Sequence, residues 1–450
     1  MKKITALFMA AALVLLCTAC GDKKTENKDM TASKDSAVYF LNFKPEIADI
    51  YKEIAEKYKE EKGIDVKVVT AASNNYETTL KSEIAKDDAP TIFQINGPVG
   101  YAAWSQYCRD LKDTKLYESL TDKKLAVQND NGVFGIPYVV EGYGIIYNDE
   151  IMEKYFALKD KAVDISSASE ITTFSLLKQV AEDMTKHKTE LGIDGVFAAT
   201  SMSSAEQWRW TTHLLSVPIY YEMKQNGDGS TIEKALNTPE IKFTYSDNFK
   251  NIFDLYINNS TTEKGLLSGK SVENSMAEFA LGKCAMVQNG NWAWEQIAEV
   301  KGNVVKRDKI KYLPVYIGVD GEEKQGLCVG TENYLAINKK ASEEKQKASI
   351  DFLEWLFSSE TGKNYVINKL KFISPFNTFD EDEKPEDPLA REILKWTQSG
   401  KETVEWTFNT FPSKDFKDDV GNALLEYVQG KQNWDYVKSS VVDSWKKNKS

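Results

Sequence analysis

Between residues 38 and 68 the chain spells one strand–helix–strand unit, and this pattern constrains the fold more than any other feature. Val38-Tyr39-Phe40-Leu41 is an unbroken apolar run of strand length, and Asn42-Phe43-Lys44-Pro45 breaks it. Ile47, Ile50, Ile54 and Tyr58 then recur at helical spacing, with Pro45 suited to the first turn and Gly63 to the C-cap. Ile64, Val66 and Val68 alternate with Asp65 and Lys67, which is strand spacing. A crossover of this kind predicts an α/β fold with parallel pairing. The loop after the first strand lies at a strand carboxyl end, where open α/β sheets place ligands.

Similar units follow. Residues 91–95 form a short apolar strand ending in Asn96-Gly97-Pro98. The segment 134–147, FGIPYVVEGYGIIY, is longer than an ordinary strand and is expected to cross between two lobes. Residues 284–287 form a strand closed by Gln288-Asn289-Gly290-Asn291, and the helix-like WAWEQIAEV follows. Residues 334–337 form another strand, after which Ser342 caps an amphipathic helix carrying Ala348, Phe352, Leu353 and Leu356. The folded part, from residue 37 onward, is long enough for two domains of about 200 residues each.

The first residues address the compartment. Lys2 and Lys3 precede the apolar run 6–16, the layout of a secretory signal peptide, and the run falls short of the roughly 20 residues that span a bilayer. Cys17-Thr18-Ala19-Cys20-Gly21 resembles the lipobox of bacterial lipoproteins, which implies removal of residues 1–19 and a lipidated Cys20; Cys17 stands where that motif usually has Leu. Residues 20–36 read as a flexible tether of roughly 20–25 Å. Processing deletes two Lys and no acid, taking the formal charge from −11 to −13. That charge argues against nucleic acid as a partner, and the membrane link is expected to be the lipid alone. Cys108, Cys284 and Cys328 remain, an odd number that forms no disulfide framework and is expected to be buried as thiols. With two His and no Cys/His cluster, neither a structural zinc nor any other cofactor is expected.

The stretches VYFLNFKPE, APTIFQINGP, GVFGIPYVVEGYGIIYN, MAEFALGKCAMVQNGNWAW and VGTENYLAINKKASEEKQKASIDFLEWLFSSETGK occur in this order over nearly all of residues 37–370. Together they resemble family 1 extracellular solute-binding proteins, the substrate receptors of ABC sugar importers. The resemblance implies a two-lobed periplasmic-binding fold with strands crossing at a hinge and a ligand cleft between the lobes. It implies a first lobe of residues 37–140 plus 311–340, and a second of 141–310 plus 341–450. It further implies a monomer that hands an oligosaccharide to permease subunits on the outer face of the cytoplasmic membrane.

A sugar site needs aromatic faces to cover the C–H side of a pyranose and planar polar groups to fix its hydroxyls. By resemblance, Trp292 stacks on the ligand beside Asn291; the alternative is that Trp292 or Trp294 packs in the core, since residues two apart do not face the same way. Asn42, Lys44 and Glu46 follow the first strand, where maltose-binding members carry a polar, Lys-bearing loop on the sugar. Lys44 and Glu46 alternatively form a surface pair. Gln94 and Asn96 sit at the next strand end. Glu141 matches a crossing-strand Glu that contacts sugar in the same members, or else buffers backbone at the hinge. The segment 207–214, QWRWTTHL, resembles a stretch of receptors for raffinose-type α-galactosides and offers Trp208, Arg209 and His213, with Trp208 and Trp210 alternating about Arg209. Glu332 is a further candidate at a segment end.

Enzyme signatures fail on inspection. Gly265-Leu266-Leu267-Ser268-Gly269-Lys270-Ser271 is one residue too short between its glycines for a phosphate loop and reads as a loop. No G-x-S-x-G nucleophile motif is present, and among 68 acids chance pairs of carboxylates are unavoidable. The expectation is a binding protein and not an enzyme. The competing readings are a secreted carbohydrate-active enzyme and a same-fold receptor for malto-oligosaccharide, peptide, polyamine or iron.

Overall fold

β1 (Val38–Asn42) pairs in parallel with β2 (Val66–Thr70) and, at Phe40, with β3 (Ile92–Asn96). The helix Ala48–Lys62 joins β1 to β2 and ends on Gly63 at φ 71°, a left-handed cap that a Cβ would disfavour. β4 (Val127–Asn129) and β5 (Gly132–Pro137) form an antiparallel pair at the far edge. β6 (Glu141–Asn148) leaves this sheet and joins a second one with β7 (Gly195–Phe197), β8 (Cys284–Gly290), β9 (Ile310–Leu313) and β10 (Gln325–Gly330). β11 (Asn333–Ile337) returns to lie between β3 and β5, and β12 (Glu402–Val404) closes the second sheet beside β10. This computed structural model describes residues 37–71, 75–227, 229–380 and 382–449; Cys20 and the tether expected before residue 37 lie outside them.

Both faces of the first sheet are covered, as a parallel-rich sheet requires. Val38 and Phe40 enter one core with Tyr51, Ile54 and Tyr58, while Tyr39 and Leu41 enter the opposite one with Tyr76 and Leu80. The alternation of adjacent residues follows from the strand period of two.

The chain passes between the sheets at 138–140 and at 331–332, as expected for the long segment 134–147. These passages run side by side, because Tyr334 pairs with Pro137 on one side and Gly330 with Glu141 on the other. A third passage adjoins them where Val140 donates to the Ile373 carbonyl at 2.8 Å.

The domain boundaries expected from sequence, 37–140 plus 311–340 and 141–310 plus 341–450, need two corrections. β9 and β10 belong to the second sheet, so only β11 of the segment 311–340 joins the first. The helix Glu343–Ser358 packs Ile350, Phe352, Leu353 and Trp355 into the first sheet's core, together with Phe372 and Phe376. The sequence displays which faces are apolar; it does not display which sheet they cover. β8 is also longer than expected, since Gln288, Asn289 and Gly290 continue the strand and pair with β6. Cys108, Cys284 and Cys328 are buried free thiols, and burial pushes all three above the ordinary thiol range.

Candidate ligand cleft

The carboxyl ends of β3, β8 and β10 converge near the crossing passages, and an aromatic side chain or an amide leans on a glycine at each. A Cβ on Gly290 would lie 2.2 Å from the Trp292 ring, one on Gly330 would lie 2.8 Å from the Trp406 ring, and one on Gly97, at φ +57°, would lie 3.2 Å from Asn409 Cβ. These glycines let side chains reach the junction of the two sheets.

The junction is aromatic. His213 forms the hub, with ring centroids 4.7 Å from Trp208, 5.5 Å from Trp292, 5.8 Å from Trp406 and 4.4 Å from Tyr143, and it stacks on Phe408 at 4.8 Å. Trp208 and Trp292 lie 6.1 Å apart and are half-buried, leaving ring surface open. Trp210 instead packs in the core and donates its Nε1 to the Ser201 carbonyl, and Trp294 is buried on the other side of β8. Of each i, i+2 pair, one Trp is buried in the core (Trp210, Trp294) and the other is half-buried at the junction (Trp208, Trp292).

Arg209–Leu214 winds as a π-helix running into the helix Leu215–Gln225. Pro218 lacks the N–H that would bond the Leu214 carbonyl, so the tighter α register is not enforced there. The wide turn holds Arg209 buried, with its guanidinium 3.8 Å from the centroid of the Trp208 ring and its Nε donating to Asn289 Oδ1 at 3.3 Å. Among the described residues Arg209 has no ion-pair partner, and burial lowers its pKa to about 9, which still leaves it charged at neutral pH.

Four buried polar atoms around this cluster have no hydrogen-bond partner in the protein: Trp292 Nε1, Trp406 Nε1, Gln288 Oε1 and Asn409 Oδ1. The amide orientations are fixed by their other ends, because Gln288 Nε2 donates to the Arg209 carbonyl at 3.0 Å and Asn409 Nδ2 to the Thr331 carbonyl at 2.7 Å. The free atoms are thus two donors and two acceptors. Each group left unsatisfied costs about 1–3 kcal/mol, so four at one place are expensive unless a ligand or bound water completes them.

The remaining sequence candidates gather on the other side of the junction. Lys44 Nζ lies 2.7 Å from Glu141 Oε1 and 3.8 Å from the exposed Glu46. Burial alone would lower the Lys44 pKa, but Glu141, with Glu46 behind it, more than offsets this and raises it. Asn42 and Gln94 have zero exposure and bond within the protein: Asn42 Nδ2 donates to the Lys44 carbonyl at 2.7 Å, and Gln94 accepts from the Phe43 amide and donates to Tyr138. Asn96 Nδ2 donates to Glu332 Oε1 at 3.2 Å. Asn291 Oδ1 accepts from the Gly142 amide at 2.9 Å, tying the end of β8 to β6. Lys417, half-buried on the helix Lys414–Val428, links the two sides: burial lowers its pKa while Glu332 and Glu77 raise it, and it in turn lowers that of His213.

Sequence reasoning missed Trp406, Phe408, Asn409, Gln288 and Lys417. The signal in reach was WTFN at 406–409, two aromatics and an amide in a loop, which lay beyond the stretches carrying the resemblance.

Two α/β sheets joined by crossing passages, with an aromatic, incompletely bonded cleft between strand ends, define a two-lobed ligand-binding protein. The chain belongs to the family of bacterial extracellular solute-binding proteins, which matches residues 53–392. It is 24% identical over 366 residues to the melibiose/raffinose/stachyose-binding protein MelE of Bacillus subtilis (strain 168), covering 79% of this chain and 77% of MelE. Its fold is similar to apo RafE from Streptococcus pneumoniae (TM-score 0.64, 16% identity, 92% of this chain and 98% of RafE). It is likewise similar to maltose-bound MalE3 of T. maritima (TM-score 0.65, 16% identity, 91% and 98%). The family is one of binding proteins, not of enzymes, and no described helix is long and apolar enough to cross a membrane.

Proposed function

We propose that this chain is the lipid-anchored receptor of an ABC carbohydrate importer, binding an oligosaccharide on the outer face of the cytoplasmic membrane and delivering it as a monomer to permease subunits. Raffinose-type α-galactosides are favoured over malto-oligosaccharides. The observation that carries this reading is the half-buried pair Trp208 and Trp292 around His213, with a buried Arg209 stacked on Trp208. Rings of this kind cover pyranose faces, and each ~60 Å² of sugar they bury contributes on the order of 1.5 kcal/mol. The likeness to MelE supports α-galactosides. A thermal-shift panel of raffinose, stachyose, melibiose, maltotriose, spermidine and a tripeptide tests it. Stabilisation by the galactosides is expected; stabilisation by spermidine or the peptide alone would overturn the sugar reading.

A further inference from the structure

Trp406 and Asn409 fall outside the family-matched residues 53–392, yet Trp406 packs into the aromatic junction and Asn409 lies at its margin, against Gly97 and the Thr331 carbonyl. Their segment follows β12, and Thr407–Thr410 forms a single short turn. Trp406 is packed between Tyr143, His213, Trp292 and Phe408 and rests on the end of β10. Asn409 rests on Gly97 at the end of β3 and holds the Thr331 carbonyl in the crossing passage. Both side chains are more than nine-tenths buried, at 2% and 5% exposure, and each ends in a polar atom with no partner in the protein. An indole N–H only donates, and the free amide oxygen of Asn409 only accepts. Gln288 Oε1 and Trp292 Nε1 add a second unpartnered acceptor and donor at the same junction.

We propose that Trp406 and Asn409 are the specificity-determining residues of this cleft, Trp406 Nε1 donating to and Asn409 Oδ1 accepting from hydroxyl groups of a neutral ligand. The donor and acceptor count selects the ligand's chemistry. A hydroxyl gives and takes a hydrogen bond, so it completes both kinds of atom. A carboxylate or phosphate leaves the amide oxygens facing an acceptor, and an ammonium leaves the indole N–H groups facing a donor. Segment 406–409 therefore sets which hydroxylated solute this chain accepts, while the Trp208 and Trp292 faces are indifferent to ring stereochemistry. The assignment rests on the sugar-receptor reading above and deepens it.

The test separates the polar atoms from the bulk that carries them. Trp406 is replaced by β-(3-benzothienyl)alanine, which keeps the bicyclic shape and lacks the N–H, and in a second protein Asn409→Leu removes the amide. Raffinose, melibiose and maltotriose are titrated by calorimetry, and unfolding of the ligand-free proteins is followed by heat. The expected result is at least a tenfold loss of affinity for the sugar that wild type binds best, with the ligand-free benzothienyl protein melting no lower than wild type, because an unpaired buried donor has been removed. Unchanged affinity in both variants, or a loss of affinity in both that appears only alongside a lower melting temperature without ligand, would overturn the assignment while leaving the receptor reading in place. Failure of wild type itself to bind any of the three sugars would overturn both.

Discussion

Lys44 Nζ and Glu141 Oε1 stand 2.7 Å apart in a buried ion pair that joins the loop after β1 to the first residue of β6, one from each sheet. The pair is almost inaccessible to water, so removing one partner strands the other charge. Lys44→Met is expected to destabilise the ligand-free protein by about 3–5 kcal/mol, and the double variant Lys44→Met/Glu141→Leu to recover much of that loss. Denaturant unfolding checks this. A single variant as stable as wild type would show that the pair does not hold the sheets together.

The contact between Gly290 and Trp292 offers a second, sharper perturbation. Gly290 has φ −107°, open to any residue, so Ala at this position strains nothing locally, yet its Cβ would drive the Trp292 ring aside. Gly290→Ala and Trp292→Ala should both weaken sugar binding, the latter by about 1.5–3 kcal/mol, or roughly 10- to 200-fold, with folding kept. Calorimetry giving wild-type affinity for Trp292→Ala would remove this ring from the site.

The strand–helix–strand opening, the crossing segment 134–147 and the cap at Ser342 were all legible, because each rests on local periodicity or on one capping side chain. The layering of the helix Glu343–Ser358 onto the first sheet was not, since it depends on long-range packing that a local apolar stripe does not encode. The site divides the same way. Trp208, Arg209, His213 and Trp292 stand out by residue type, and the structure gathers them. Asn42 and Gln94 stand out equally, but they turn inward to fix backbone, and only three-dimensional partners distinguish the two outcomes. Trp406 and Asn409 are far from the others in sequence and reach the cleft through a single turn.

Acidification should expose the state of His213. Burial, with Arg209 and Lys417 close by, holds its imidazole well below the usual value of 6.5, so the folded protein keeps it neutral while the unfolded chain charges it. The unfolded state then binds more protons, and stability falls as pH drops below about 6.5, by up to ~1.4 kcal/mol per unit, and is level above. Denaturant unfolding from pH 5 to 8 should show this slope reduced in His213→Gln. A slope unaltered by the substitution would mean that His213 does not remain neutral on folding.

The lipid anchor is checked by Cys20→Ala. The processed protein is expected to leave the membrane fraction and appear in the medium, because an acidic chain is weakly repelled by an anionic bilayer and no described helix is long and apolar enough to cross one. Retention of the processed variant, with residues 1–19 removed, on membranes at wild-type level would refute the anchor.

The central claim, that this cleft holds a neutral oligosaccharide, is tested most directly by calorimetric titration of raffinose, stachyose and maltotriose into the mature protein. Saturable 1:1 binding of an α-galactoside is expected at roughly micromolar affinity, about −8 kcal/mol, falling in Trp292→Ala. No heat with any of the three sugars, together with saturable binding of a charged solute such as spermidine, would contradict it.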